Sequence, residues 1–533
     1  MTSTIDLLRQ GRNDEIWTKH CGFFDLKLDE FMKIQERLLL EQIGFLSCCE
    51  LGRKLMGEIP PTSVAEFRRR VPLTTYRDYE PYLKDQKSNS LPSEPFVWAR
   101  TSGRSGEYVA KWVPYSKRMY DSLAEVAIGA MLLASCTRKG EVNLYPGNVI
   151  LLGTAPPPYM SGHLTHSMAN QLEAIFVPSI ETGEKMGFGE RIEEGFKLAM
   201  GTGLDFFYGL SSILAKTGER FETGSGNIKF SSEMLRPSVL FRLLRGFFRA
   251  KINKRNVLPK DIWKLKGIMS GGTDTDIYRE RIKRYWGREP LEGFGCTEGG
   301  NMAMQAWNYK GMTFNPDCNF LEFITYEDHI RNKQDPKYQP PTVLLNELQP
   351  GIYELVFTNL LGGVITRYRI GDLFEVLSLR DEELNIDLPQ LRFYSRADDI
   401  IDLGGFTRLT ERTIWQMIEA SKINYVEWTA RKEEVGGEPI LHLYIELSES
   451  DGSSSEQLKP LIRTSLQQIN SDFTDLEYML GSDHLEVTRL ANNSFKRYME
   501  DRQRAGADLA HVKPPHMQPT NDVINRLLQT EPG

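Results

Sequence analysis

Cysteine, histidine and long apolar runs are all scarce in this 533-residue chain, and each scarcity excludes something. The six cysteines (Cys21, Cys48, Cys49, Cys136, Cys296, Cys318) never show the two-residue spacing of a zinc or redox pair. Six is also too few for a disulfide scaffold at this length. The eight histidines are scattered, with no H-E-x-x-H spacing for a catalytic metal. No apolar run approaches the ~20 residues that a bilayer span needs; the longest, around 124–136, contains Glu125. The opening, MTSTIDLLRQGRNDEIW, is too polar for a signal peptide. Cations are not in excess either. Lys+Arg 65 against Asp+Glu 72 leaves a net −7, the reverse of what binding a phosphate backbone demands. The expectation is a soluble, monomeric protein of a reducing cytoplasm, with no nucleic-acid partner and no stable membrane insertion. A local basic pocket for a nucleotide stays open.

What is present is ordinary globular material, 40% hydrophobic and 26% charged. The length allows two to four domains. Residues 1–70 predict helices, with Phe31, Ile34, Leu38 and Ile43 at helical spacing among charges. From about residue 95 strands alternate with helices: strands at Asn148–Gly153, Asp205–Gly209 and Leu265–Met269, helices from Ser211 and over Asp276–Tyr285, and a short strand into Gly293. That alternation predicts a layered α/β body. Strands dominate Thr313–Leu377, with Gly362-Gly363 as a turn between Tyr353–Asn359 and Val364–Ile370. After Ser395 the order becomes strand, helix (Glu411–Ala420), hairpin at Gly436-Gly437, helix (Glu456–Asn470), strand, helix (Phe495–Ala505). This is the pattern of a small α+β domain. The fold expected is α/β, with a large N-terminal domain over 1–396 and a small mobile α+β domain over 397–533.

Four clusters have residue types suited to chemistry. Thr101-Ser102-Gly103-Arg104-Ser105-Gly106 is a Gly/Ser/Thr loop between two strands. Such a loop offers backbone amides and hydroxyls to phosphate oxygens, or is simply a flexible turn; it lacks the Walker ending. Phe294-Gly295-Cys296-Thr297-Glu298-Gly299-Gly300 sets a carboxylate between a hydroxyl and glycines, a magnesium ligand or a solvated turn. Cys296 reads as packing rather than nucleophile. Tyr368-Arg369-Ile370-Gly371-Asp372 places a carboxylate to accept ribose hydroxyls, or to pair with a local arginine. Ser395-Arg396-Ala397-Asp398-Asp399 with Gly404-Gly405 suits a hinge or an exposed linker.

The clusters stand in the order of the adenylate-forming enzymes. Within that superfamily the chain resembles the Gretchen Hagen three family of acyl acid amido synthetases. Four segments carry the resemblance: FRRRVPLTTYRDYEPYL (67–83), TSGRSGEYVAKWVP, YELVFTNLLGGVITRYRIGDL and FKRYMEDRQRAGADLAHVKPP. It runs from about residue 65 to 517. It implies ATP-dependent adenylation of a carboxylic acid, then attack by an amine, usually an amino acid, to give an amide. By this resemblance Ser102, Gly103, Arg104, Ser105 and Gly106 form the phosphate loop. Thr297 and Glu298 touch AMP and hold magnesium, Glu298 being catalytic as well. Gly271, Gly272, Thr273 and Phe294 line the adenine site, Asp372 binds the ribose, and Arg396 lies near it on the hinge. Lys513 matches the tail lysine, with Lys496 as its rival. Two departures are visible: Arg104 stands where the family has Thr or Ser, and His511-Val512 replaces Gln-Tyr before Lys513. The cofactors implied are ATP and Mg2+.

Three further readings complete the expectations. An acid–coenzyme A or carrier-protein ligase would use the same acyl-adenylate, and a nucleotide-binding protein without catalysis is the alternative of another class. The acyl pocket is expected from the helix after Pro114, from Tyr159–His166 and from Phe206–Ser212, with His163 and His166 read as satisfied or exposed histidines. In Leu235–Arg255, Arg242, Arg245 and Arg249 share a helical face, with Leu240, Leu244, Phe247 and Phe248 opposite. This is expected to be an amphipathic helix packed on its own domain, a membrane-surface helix being the alternative.

Overall fold

The computed structural model describes residues 2–101, 110–224, 237–270, 275–403, 407–435, 438–449, 451–471, 473–474, 483–505 and 515–529. They fall into two compact units, one formed by Met1–Thr101 with Ala110–Tyr394 and one beginning at Ser395.

Helices open the first unit, as the 3.6-residue spacing of apolar side chains requires. The helix Leu28–Leu46 buries Phe31, Leu38, Leu39 and Ile43. It also buries two glutamines that clasp distant backbone. Gln35 donates to the carbonyls of Pro316 and Asn319, and Gln42 to that of Gly363.

Among the described residues eighteen strands follow the N-terminal helices. Those of the first unit are β1 (Val97–Arg100), β2 (Trp112–Tyr115), β3 (Val149–Gly153), β4 (Ile175–Val177), β5 (Phe206–Gly209), β6 (Gly267–Ser270), β7 (Pro290–Cys296), β8 (Gly300–Gln305), β9 (Met312–Phe314), β10 (Asn319–Thr325), β11 (Gly351–Asn359), β12 (Tyr368–Ser378) and β13 (Gln390–Arg396), whose last two residues begin the second unit. β1 and β2 form a hairpin, and the others form one sheet in the order β10-β11-β12-β13-β9-β8-β7-β6-β5-β3-β4. Strands β4, β3, β5, β6 and β7 pair in parallel, whereas β7 pairs antiparallel with β8. β7 is therefore where the sheet changes direction. In open α/β sheets such a switch leaves a crevice beyond the carboxyl ends of the parallel strands. The helix Lys117–Ser135 is buried along most of its length, which explains its nearly continuous apolar sequence.

In the second unit, β14 (Ile401–Leu403) pairs with β15 (Thr407–Leu409), followed by the helix Glu411–Ala420. β16 (Tyr425–Val435) and β17 (Glu438–Leu447) make a hairpin, and β18 (Leu485–Leu490) joins β17 in parallel. The α+β order read from the sequence is thus present, completed by a helix at Asn521–Leu528.

Two expectations fail. The strand after the Gly362-Gly363 turn starts at Tyr368 rather than Val364. Arg367 sits in the left-handed region, at φ 44°, and ends any extended run before it. Its guanidinium is held in that position by Glu322, at 2.8 and 3.0 Å. The second failure is the helix Pro237–Ile252, whose large apolar side chains are mostly exposed rather than packed.

Candidate active site

Glu298 lies on the turn that follows β7, with only 4% of its surface exposed. Three side chains fix that turn by meeting three successive carbonyls. Tyr115 donates to Thr297 at 2.6 Å, Asn359 to Glu298 at 2.9 Å and Asn319 to Gly299 at 2.8 Å. Space at Gly299 is tight, since a Cβ there would come within 2.8 Å of the Met302 sulfur and 3.1 Å of the Phe357 ring. A buried carboxylate is costly unless paired, and Glu298 is paired twice through one oxygen. Its Oε1 accepts from Lys111 Nζ at 2.9 Å and from the Tyr368 hydroxyl at 3.0 Å. Lys111 also donates to the Tyr368 oxygen, at 2.9 Å, which closes a triangle. Burial, reinforced by the Glu298 charge, pushes the Tyr368 phenol far above its usual range. It therefore stays a donor.

Lys111 stands at the root of the Gly/Ser loop. Its backbone and that of Thr101 are tied by two bonds, Thr101 N to Lys111 O and Lys111 N to Thr101 Oγ1, both 2.9 Å. Tyr76 supports the same place: it exchanges hydrogen bonds with the Trp112 backbone, and its ring lies 5.4 Å from Lys111 Nζ. Tyr368 is held in turn by the segment 67–83. The Thr74 backbone bridges to Tyr368, and Thr74 and Tyr79 both donate to the Thr366 carbonyl. Two segments singled out in the sequence, nearly 300 residues apart, thus meet through the Thr366 and Tyr368 backbone.

Asp372 lies on β12, beyond Tyr368, and is 7% exposed. Opposite it, Val356 pairs with Arg369 and Glu354 with Leu373, so residues 370–372 face a single residue of β11. This is a β-bulge, and Gly371 at φ 83° is the residue that lets the strand make it. The bulge re-aims the following side chain, which explains a Gly-Asp pair better than a hairpin does. Cys296 ends β7; burial, with Glu298 and Asp372 near it, drives its thiol well above the usual range. A thiol held protonated in this way is a poor nucleophile. At the carboxyl ends of β5 and β6 the hydroxyls of Ser211 and Ser270 stand 2.6 Å apart.

The other predicted positions are distributed as follows. Thr297 is on the Glu298 turn, half-buried. Phe294 packs its ring against Phe374 and Phe393, at 4.8 and 6.3 Å between centroids. Arg396 caps the short turn Ala397–Asp399 and Lys496 is exposed on the helix Ser494–Arg504, both within the second unit. Ser102, Gly103, Arg104, Ser105, Gly106, Gly271, Gly272, Thr273 and Lys513 lie outside the described residues. His163 bonds the Trp98 carbonyl at 3.1 Å and His166 bonds Glu184 at 2.6 Å, so both have protein partners. Lys111 and Tyr368 were not singled out from sequence. The signal for Lys111 was its place beyond the glycine loop; Tyr368 opens the cluster that ends in Asp372, but nothing in the sequence assigned it a role of its own.

Comparison with known proteins places this geometry. The GH3 family N-terminal domain matches residues 21–145 and the GH3 family central domain matches 312–396. Lys111 lies within the first matched segment, and Tyr368 and Asp372 within the second, while Glu298 lies between them. A jasmonoyl–L-amino acid synthetase of Nicotiana attenuata, JAR4, is 23% identical over 289 residues, 50% of this chain and 46% of that relative. The match thus spans about half the relative's length. Among solved structures, the AtGH3.15 acyl acid amido synthetase in complex with 2,4-DB superposes with TM-score 0.66 at 15% identity, covering 95% of this chain and 94% of that one. A 2-hydroxyisobutyryl-CoA ligase in its postadenylation state gives 0.58 at 16% identity, covering 93% and 90%. The chain therefore shares the fold of these two solved enzymes.

Proposed function

We propose that this chain is an ATP- and magnesium-dependent acyl acid amido synthetase, which adenylates a carboxylic acid and passes the acyl group to an amine, an amino acid. The observation that carries the reading is the triangle of Lys111, Glu298 and Tyr368 at the sheet's change of direction, within a chain that matches two GH3 family domains.

The residues fit the cofactors. Among the described residues no cluster of three or more His, Cys, Asp or Glu could cage a metal. Magnesium beside a nucleotide needs no cage, since one or two carboxylates plus phosphate oxygens suffice. Glu298 would hold it, and the ion would supply charge neutralisation as pyrophosphate departs. Lys111 has spent two of its three N–H donors, on Glu298 and Tyr368, and its side chain is 32% exposed. The third is available to a phosphate oxygen, so a fixed cation faces the charge that develops there. Asp372 on its bulge accepts the ribose hydroxyls, the glycine loop supplies amides to the phosphates, and Gly271, Gly272, Thr273 and Phe294 line the base. Arg396 on the hinge and Lys513 on the tail belong to a small domain that moves between the two half-reactions. Lys496 is the rival for the tail role.

The test is acid-dependent release of pyrophosphate from ATP and magnesium, with a panel of aryl and aliphatic acids. Release that rises with amino acids supports the reading; release that rises only with coenzyme A selects thioester formation, which the ligase of similar fold favours. No acid-dependent release across the panel sinks both. Glu298→Ala and Asp372→Ala are expected to abolish release, and unchanged turnover in either would remove that residue from the site. Lys513→Ala should slow adenylation far more than Lys496→Ala, and the opposite ranking moves the role to Lys496.

A further inference from the structure

The helix Pro237–Ile252 carries three sectors. In the first, Val239, Gly246 and Ala250 are buried, and Leu243 packs on the core formed with Leu258, Ile262 and Trp263. Arg242 anchors this side by donating to the Ala199 and Met200 carbonyls at the end of the helix Phe188–Thr202. The second sector holds Leu240, Phe241, Leu244, Phe247, Phe248 and Ile252, which are 49–70% exposed. On a 3.6-residue helix they occupy an arc of about 140°. The third sector, along one border of that arc, is Arg245 and Arg249. Elsewhere among the described residues large exposed apolar side chains stand singly or in pairs along the sequence. A contiguous patch of this kind marks an interaction site.

Charge selects the partner. Between Pro237 and Lys260 there are seven cations (Arg242, Arg245, Arg249, Lys251, Lys254, Arg255, Lys260) and no acidic residue, in a chain of net charge −7. Arg242 is engaged as described and Arg255 pairs with Asp261. Among the described residues Arg245, Arg249, Lys251 and Lys254 have no ion-pair partner. We infer that this helix docks the protein on an anionic lipid surface, lying flat with its phenylalanines at the acyl boundary and its arginines among the headgroups. Exposed aromatic and aliphatic side chains bordered by arginine, on a helix too polar to span, are the features of an interfacial helix. No helix among the described residues is long and apolar enough to cross a membrane. Contact with a second copy through the same face would oppose two cationic helices with no acid between them, at an electrostatic cost. The inference is independent of the amido synthetase reading, because none of these residues belongs to the candidate site.

The test uses the full chain and sedimentation with vesicles, either pure phosphatidylcholine or phosphatidylcholine with one quarter phosphatidylglycerol. At low salt, binding to the anionic vesicles should exceed binding to the neutral ones by about 10-fold or more, and should fall as salt screens the headgroups. Phe241→Ser with Phe248→Ser, and separately Arg245→Glu with Arg249→Glu, should each weaken it about 10-fold while leaving the melting temperature unchanged. Tryptophan emission from Phe248→Trp should shift to the blue on anionic vesicles. Protein that stays in the supernatant with both vesicles overturns the inference. So does binding that survives both double variants, or self-association that the phenylalanine variant abolishes. An unshifted Phe248→Trp spectrum overturns it too.

Discussion

Each unit buries a small group of charges around one cation, and the two groups are built to opposite ends. In the second unit His516 bonds Glu411 through Nδ1 at 2.6 Å and Glu427 through Nε2 at 2.9 Å. Its ring stacks on Trp428 at 4.4 Å and meets the edge of Trp415 at 5.0 Å. Burial alone would lower its pKa, but Glu427 and Glu411 outweigh that and raise it to about 10. Both ring nitrogens are used, one face is covered by Trp428, and the group pins Pro515–Gln518 beside β16. In the first unit Lys111 serves one carboxylate, keeps a donor in reserve and stays a third exposed. A closed ionic group holds a chain in place; one with an open side can accept a ligand. Burial alone does not distinguish them, whereas the count of donors left over does.

The sharpest way to break this contrast is His516→Gln, which removes the cation that Glu411 and Glu427 share. Losing one partner of a largely desolvated ion pair is destabilising, so the second unit should melt earlier while the first keeps its transition, as separate calorimetric peaks would reveal. Wild type should behave similarly at high pH. A folded pKa of about 10 against an ordinary value near 6.5 means His516 stabilises fully below pH ~6.5, and that contribution is lost as pH rises toward 10. A second-unit transition that does not fall between pH 7 and 10 would refute the imidazolium. Lys111→Met comes next in size. Losing one preorganised donor to a developing charge costs about 10²–10³-fold in rate, so pyrophosphate release should collapse, and Glu298 left buried without its cation should also lower the melting temperature of the first unit. Stability lost in place of activity would make Lys111 another structural pin. Tyr368→Phe keeps the ring and removes the third corner of the triangle; a loss of about 5–10-fold in kcat is expected, in line with one charge-assisted hydrogen bond. The smallest effect concerns a histidine buried neutral. His20 touches Thr4 at 3.0 Å and the Glu125 carbonyl at 3.0 Å, and burial lowers its pKa to about 4. Its unfolded form takes up a proton first, so the first unit should lose up to about 1.4 kcal/mol per pH unit below 6.5. His20→Gln should flatten that slope.

The sequence was most informative where period and punctuation coincide. Glu411–Ala420 was read to the residue because Thr410 caps it and Trp415 and Ile418 repeat at helical spacing. The carboxylates of the site were legible too, since a Thr-Glu between strand and glycines and a Gly-Asp at a strand are local signals. What escaped depends on contacts across the fold. Tyr368 becomes a site residue only because Thr74 and Lys111 arrive from elsewhere, and Arg367 stops a strand only because Glu322 is there to hold it. The exposed face of Pro237–Ile252 escaped for the converse reason: periodicity identifies an amphipathic face but cannot say whether anything covers it.

The glutamines of the first long helix impose an order of events on synthesis. Gln35 and Gln42 find their partners 281 to 321 residues later in the chain. At ~5–20 residues per second, a ribosome needs about 15–60 s to make those partners. During that interval the newborn helix carries amides with nothing to bind and an apolar face with nothing to cover it, a state that invites a holding chaperone. The first residues made are among the last to be locked, and a slow stretch of translation before residue 316 would lengthen their exposure more than any pause after residue 363.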